Sequence, residues 1–403
     1  MNRISDLAGL VLLAGLPAVA QQQTVLTLED ALERARQSAP VVIAARMRIA
    51  EARGRVVGAS LPFATNPSVE VETGRRSGAT SSTDYGLEVG QDLELPQRRR
   101  ARINAAQAGV TQEEQRAREA EREALREVAT TFLRAVEARE RAEAAGSSKR
   151  LADEALRIAE RRYAAGDVAQ LDVNLARTGV ARADAEMRIA NATLTGQVTQ
   201  LQVLLGLGET VTVGGSLRDG LTLATTDLVA RAADRPDVRV LEAEIAEAEA
   251  DQRFARTLRW PDFGVRASYA KEEGDRIVLG GVRLTLPVFN RGQEATAVAK
   301  ARLARLRAQR EALTRTIEAE VRGGVATHDA LRAAASDYEQ TVLPLVEGNE
   351  KLALESYEAG QIGLGELLLV RREGFDARRG FIDQLIEMRL AEVELRARAG
   401  VWK

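Results

Sequence analysis

Two carboxylates stand at matched places in this chain. Asp172 lies six residues after Gly166, and Glu366 six residues after Gly360, each behind a tyrosine, Tyr163 or Tyr357. An acid at the start of a helix has two uses. It favours the helix's positive end, and several copies brought around an opening attract cations, as acidic rings do in cation-selective pores. Tyr163 and Tyr357 are equally open to two readings, latch groups at a helix tip or simple packing there. Little else in the sequence is reactive. Cysteine is absent, which removes disulfides, thiolate metal ligands, a cysteine nucleophile and a lipid anchor on cysteine. His328 is the single histidine, and with four methionines and no cysteine it anchors no metal cluster. The chain contains no nucleophile–base pair, phosphate loop or cofactor motif. It reads as no enzyme, with no cofactor and no metal centre.

The elements that would position these acids are written twice. Leu95-Pro96 and Leu286-Pro287 are 191 residues apart, and the Tyr163 and Tyr357 motifs 194 apart. Leu61-Pro62 and Trp260-Pro261 are 199 apart, and Pro40 and Pro236 196 apart. This spacing far exceeds a solenoid repeat, so one unit of about two hundred residues has been duplicated. The expected division is a first repeat over 21–215 and a second over 216–403. Residues 1–20 precede them with Arg3, an apolar run from Leu7 to Leu16 and the small-x-small triplet Ala18-Val19-Ala20. That pattern is a secretory signal peptide, although Asp6 is irregular in it and an attached apolar helix is the alternative.

Each repeat opens with a short amphipathic helix, 28–38 or 227–234. Thr27 with Asp30 three residues on makes a capping box. A second helix follows over about 40–60 or 236–258, with proline in its first turn. Two alternating stretches come next, about 68–76 and 84–95, then 262–272 and 276–286 in the copy. Tyr85, Leu87 and Val89 share one face against Glu88 and Asp92; Phe263, Val265 and Tyr269 do so against Arg266 and Ser268. Such strands suit either a half-buried soluble sheet or the wall of a membrane barrel. No further strand is legible to extend the sheet, and a lone hairpin is marginal in water. Four strands cannot close a barrel, for which about eight is the usual minimum. Closure then requires several copies of the chain.

Behind each hairpin lies a long helical run, about 98–162 and 291–357, roughly 100 Å at 1.5 Å per residue. Gly146-Ser147-Ser148 and Gly323-Gly324 are candidate bends. Gly166 or Gly360 stops the helix, and a helix about half as long returns over 171–205 or 364–399. The product is an antiparallel pair whose tip projects far from the strands, a tube wall rather than a catalytic scaffold.

The net charge is −2, from 57 basic and 59 acidic residues, so no nucleic-acid partner is implied. The run Arg98 to Arg100 lacks interleaved aromatics. It falls where a strand meets a helix, and contact with interfacial lipid or the pore mouth is expected there.

In this order of elements, and in Arg162-Tyr163-x-x-Gly166 and Ser356-Tyr357-x-x-Gly360 with their following acids, the chain resembles TolC-family outer-membrane efflux proteins over nearly its whole length. Gly90-Gln91-Asp92-Leu93-Glu94-Leu95 and Tyr163 to Val168 resemble the CzcC-like, heavy-metal branch. The resemblance implies a mainly α fold with a small antiparallel β part. A long α-helical barrel and a transmembrane β-barrel are completed by trimerisation. It implies a homotrimer in the outer membrane of a Gram-negative bacterium, with the helical part in the periplasm. The trimer is a passive conduit served by a periplasmic adaptor and an inner-membrane pump of RND type. Asp172 and Glu366 match the periplasmic gate. Tyr163, Gly166, Asp167 and Val168, with Tyr357, Gly360, Gln361, Ile362, Gly363 and Leu364, match the tips where the adaptor docks. Leu369 and Ile362 replace an acidic and a basic residue of some relatives. A multidrug or other small-molecule duct of the same family is the alternative cargo. A periplasmic adaptor or a soluble coiled-coil scaffold is the alternative from another class.

Overall fold

The computed structural model describes residues 24–78, 81–208, 211–220 and 228–402. The stretch read as a signal peptide, 1–20, lies outside the described residues.

After a three-residue strand β1 (Thr24–Leu26), α1 (Leu28–Ser38) begins at Thr27. The Thr27 hydroxyl accepts from the Asp30 N–H at 3.2 Å, and the Asp30 carboxylate accepts from the Thr27 N–H at 3.3 Å. This is the expected capping box. Pro40 opens α2 (Pro40–Ser60). The hairpin β2 (Ser68–Arg76) and β3 (Ser82–Leu93) leads into α3 (Pro96–Ala164), one unbroken helix of 69 residues, about 100 Å long. The helix α4 (Gln170–Leu205) returns and ends at Gly206.

The second half repeats the order. A short β4 (Val211–Val213) is followed by α5 (Leu228–Ala232), α6 (Pro236–Thr257), β5 (Asp262–Glu272) and β6 (Asp275–Thr285). The turn between β5 and β6 is tight, with both Glu273 and Gly274 at positive φ, the backbone that suits a two-residue hairpin. Helix α9 (Leu364–Ala399) closes the chain.

The long second helix is not continuous, contrary to expectation. It starts at Gln293 as α7 (Gln293–Asp337), passes through a π-helical turn at Tyr338–Val342, and resumes as α8 (Leu343–Glu358). Gly323-Gly324 and Gly146-Ser147-Ser148 both lie inside regular helix instead of bending it. Pro344 explains where the irregularity falls. It has no N–H to donate and its ring clashes with the carbonyl four residues back, and a π turn absorbs that mismatch by inserting a residue.

The four strands form one antiparallel sheet in the order β2-β3-β5-β6. The two hairpins are joined by β3 and β5, with Leu87 opposite Tyr269. A separate parallel pair, β1 with β4, was not legible in the sequence. It stands apart from the larger sheet and does not extend it. The main apolar core sits where α1, α2, α3, α4 and α9 meet. Val42, Val128, Phe132, Val136, Leu201, Leu217, Phe381 and Val393 are all nearly inaccessible there. Each such side chain contributes about 1.5–3 kcal/mol by leaving water. The helical hairpins away from this core are held mainly by alanine seams, including Ala155, Ala159, Ala176 and Ala183. Small side chains let the helices approach closely. The fold class is the one expected, mainly α with a small antiparallel sheet.

Candidate functional site

Two regions carry candidate function, the helical tips and the sheet at the opposite end. At the first tip α3 ends through Gly166 at φ 82, with the Asp167 N–H donating to the Arg162 carbonyl at 2.9 Å. At the second, α8 ends through Gly360 at φ 73, with the Gln361 N–H donating to the Ser356 carbonyl at 2.8 Å. Both are glycine stops whose left-handed backbone lets the chain reverse while pairing the last carbonyls.

The two acids cap the returning helices. The Asp172 carboxylate accepts from the Ala169 N–H at 3.1 Å, and Glu366 accepts from the Gly363 N–H at 3.2 Å. Each therefore satisfies a donor that a helix start leaves unpaired, and its charge faces the positive end of its helix. Glu366 also stays exposed and Asp172 half-exposed, so capping leaves both charges accessible to solvent. Asp167, Gln361 and Gly363 are exposed, Val168 and Ile362 half-buried, and Leu364 buried.

The tyrosines part company. Tyr357 is 1% exposed, packed with Ala159, Ala176, Ala353, Leu364 and Leu367. Tyr163 is 46% exposed. Arg162 adds a polar cover to Tyr357 that Tyr163 lacks among the described residues. Its guanidinium lies 5.0 Å from the Tyr357 ring centroid and donates to the Tyr357 carbonyl at 3.2 Å. A cation over an aromatic face is worth about 0.5–2 kcal/mol depending on desolvation. The matched position in the second repeat is Ser356, which has no cation to offer. Sequence reasoning gave Arg162 no role. The signal was a cation in one motif where the other has a hydroxyl, Arg162 against Ser356.

At the other end the sheet has two unlike faces. Val69 and Val71 of β2, Leu87 and Val89 of β3, Phe263 and Val265 of β5, and Val278 and Val282 of β6 share one face by register. All of these are exposed, Val71, Val278 and Val282 by more than 70%. The opposite face carries cross-strand ion pairs. Arg76 reaches Asp84 at 2.9 Å and Glu272 at 3.2 Å, Arg266 reaches Glu88 at 3.5 Å, and Arg283 pairs with Asp92. A contiguous apolar face of this kind is costly in water and is what a lipid-facing wall presents.

The arginine run at the foot of the sheet behaves differently from expectation. Arg98 is 9% exposed, pairs with Asp262 and donates to the Thr257 and Trp260 carbonyls at 3.1 and 2.9 Å. Arg99 donates to the Ser60 carbonyl at 2.7 Å, and Arg102 pairs with Glu94 at 2.6 Å. These side chains cap the ends of α2 and α6 and bolt the strands to the helices. Only Arg100 of the run is exposed. The histidine is buried as well, with His328 Nδ1 3.2 Å from the Asp329 carboxylate. Among the described residues no group of three or more His, Cys, Asp or Glu could hold a metal ion, and no helix is long and apolar enough to cross a membrane.

The same fold occurs in solved outer-membrane proteins. The chain superimposes on CusC with a TM-score of 0.77 and 17% identity, covering 93% of this chain and 92% of that one. It superimposes on the Campylobacter jejuni CmeC outer membrane channel with a TM-score of 0.76 and 16% identity, covering 93% and 85%. An amphipathic sheet at one end of a duplicated helical hairpin is the architecture shared with these two structures. The model of the family described as Outer membrane efflux protein matches residues 31–207 and 229–401, and the chain belongs to that family. It is 28% identical over 371 residues to the cobalt-zinc-cadmium resistance protein CzcC of Cupriavidus metallidurans, covering 89% of this chain and 86% of that protein. The protein is therefore an outer-membrane efflux channel of the TolC type.

Proposed function

We propose that three copies of this chain form the outer-membrane duct of a tripartite efflux system, docked through its tips to a periplasmic adaptor and an RND-type inner-membrane pump, and that its cargo is heavy-metal cations. What carries the trimer is the sheet. Four strands with two free edges and an exposed apolar face are stable only when closed in lipid by further copies. Three copies would give twelve strands. The similarity to a cobalt-zinc-cadmium resistance protein supports the cargo. The duct itself needs no binding site, so metal ions pass as substrate rather than as a bound centre. In this reading Asp172 and Glu366 ring the periplasmic opening while they cap their helices. At the tips Tyr163, Gly166, Asp167, Val168, Gly360, Gln361, Ile362 and Gly363 form the adaptor surface, and the buried Tyr357 and Leu364 support it from behind.

Deleting the gene in its host and restoring it should shift tolerance to cobalt, zinc and cadmium while leaving tolerance to dyes and antibiotics unchanged. The reverse pattern would replace metals by organic compounds as the cargo. Glu366→Gln and Glu366→Lys separate the two uses of that acid. Glutamine keeps an acceptor for the Gly363 N–H and removes the charge, so a cation-attracting ring predicts reduced cation conductance in planar bilayers for both variants. If glutamine conducts like wild type, Glu366 is a cap alone.

A further inference from the structure

The open edges of the sheet, β2 and β6, raise a question that one chain does not answer: in what register they meet. We infer that β6 of one subunit pairs antiparallel with β2 of a partner so that Val282 lies opposite the partner subunit's Val71. This rests on the trimeric reading above and adds to it the geometry of the seam.

The registers inside the chain set the alignment that the seam must continue. Following the hydrogen-bonded ladder, Val71 stands opposite Leu87, Leu87 opposite Tyr269, and Tyr269 opposite Val278. If the next copy continued without stagger, Val278 would face the partner subunit's Val71. That would close a barrel with no shear, which the twist of strands forbids. The seam must therefore be offset, and by an even number of residues, because an odd offset would turn the apolar face of β2 inward.

The direction of the offset follows from where the strands end. Displacing the partner toward the turn would set its Val71 against Gly274, outside β6. Only a few residues of each strand would then be paired. Displacement the other way by four residues sets Val282 against the partner's Val71, Thr285 against the partner's Ser68 and Ile277 against the partner's Arg76. Every residue of β2 then has a counterpart in β6. Twelve strands about 4.8 Å apart, with a total stagger of about twelve residues at about 3.3 Å each, tilt by about 35°. That tilt lies at the lower end of the range for closed barrels, about 35–45°.

Side-chain chemistry agrees on both faces. Outside, Leu284 meets the partner's Val69 and Val282 meets the partner's Val71, apolar pairs of the type that stabilises adjacent strands. Inside, Arg283 meets the partner's Glu70. Glu70 and Glu72 have no ion-pair partner among the described residues of their own chain, whereas Arg283 already pairs with Asp92. Arg283 would thus bridge Asp92 of its own chain and the partner's Glu70 on its other side.

The absence of cysteine makes the test direct. The full-length chain carrying Val71→Cys with Val282→Cys, oxidised in detergent-solubilised membranes, should convert most of its material to a covalent trimer. The inner pair, Glu70→Cys with Arg283→Cys, is the second variant, since in an antiparallel ladder one face holds the more closely spaced pairs. The slipped pairs Val71→Cys with Leu284→Cys and Val71→Cys with Val278→Cys should yield under about a tenth as much, because offset partners sit beyond disulfide reach. Trimers that cross-link best in a slipped pair, or in neither matched pair, overturn the register and leave the channel reading intact. A monomer in detergent with no interchain bond in any variant overturns both.

Discussion

Tyr357 is the residue whose replacement separates packing from polar contact at the tip. The ring is 1% exposed and is surrounded largely by alanines and two leucines on separate helices. Those short side chains cannot collapse into the space an aromatic ring leaves. Tyr357→Ala should therefore cost about 3–5 kcal/mol, the range for large buried aromatics, and also lose the face that Arg162 covers at 5.0 Å. The hydroxyl is another matter. It is buried and has no hydrogen-bond partner among the described residues, and a buried unpaired hydroxyl is destabilising by about 1–3 kcal/mol. Tyr357→Phe keeps the ring and removes that penalty, so it should be neutral or stabilising by about 1 kcal/mol. Amide hydrogen exchange in the detergent-solubilised protein reads this locally. Amides of 353–370 should exchange roughly a hundredfold to several thousandfold faster in the alanine variant, at about 1.4 kcal/mol per factor of ten. In the phenylalanine variant they should exchange as in wild type or more slowly. A phenylalanine variant that exchanges as fast as the alanine one would refute the reasoning, because the hydroxyl would then hold the tip.

Other positions give further expectations. Gly360 adopts φ 73, a conformation that costs a side-chain-bearing residue about 1–2 kcal/mol, so on the proposed function Gly360→Val should distort the tip and reduce metal tolerance in cells while gel-resolved trimers persist. A Cβ on Gly374 would occupy the place of the Glu350 carboxylate, which Arg378 binds through its Nη1 at 2.8 Å. Gly374→Ala should displace that flexible carboxylate and weaken the half-buried pair, a loss of about 1 kcal/mol. Alanine gains about 0.5–1 kcal/mol over glycine inside a helix, so the urea midpoint should move little. Glu350→Ala, which removes the pair with no such gain, should lower it. Thr27, through its hydroxyl and then its backbone N–H, holds the Asp30 carboxyl below the ordinary aspartate value. Its stabilisation is present above about pH 4, the unfolded value, and is lost as pH falls through the lowered folded value. The thermal stability of wild type should exceed that of Asp30→Asn at pH 7, and the gap should close on acidification.

Much of this molecule was legible because its signals are local. Proline at the first turn of a helix, glycine past its last, a threonine three residues before an aspartate and two-residue alternation each act over a few bonds. Helix starts at Pro40 and Pro236, the stops at Gly166 and Gly360, and the facing of Tyr85, Leu87 and Val89 could therefore be read without coordinates. The duplication added the topology, since the same order of elements written twice leaves few other arrangements. The π turn at Tyr338–Val342 was missed although its cause, Pro344, was in plain view. A proline inside a long helix can kink it, end it or be absorbed, and the neighbouring helix decides which. Here the Tyr338 hydroxyl donates to the Ala377 carbonyl and its ring stacks on Phe381, both on α9.

The sequence by itself determined the elements, their order and which face of each strand is apolar, because propensity, capping and periodicity belong to short stretches of chain. Tertiary structure alone decided that Arg98 is a buried bolt rather than a surface charge, and that Tyr357 is clamped by Arg162 while its counterpart Tyr163 stays exposed. It also decided that the two hairpins join through β3 and β5. These outcomes depend on groups more than a hundred residues apart meeting in space, and no local pattern encodes such distances.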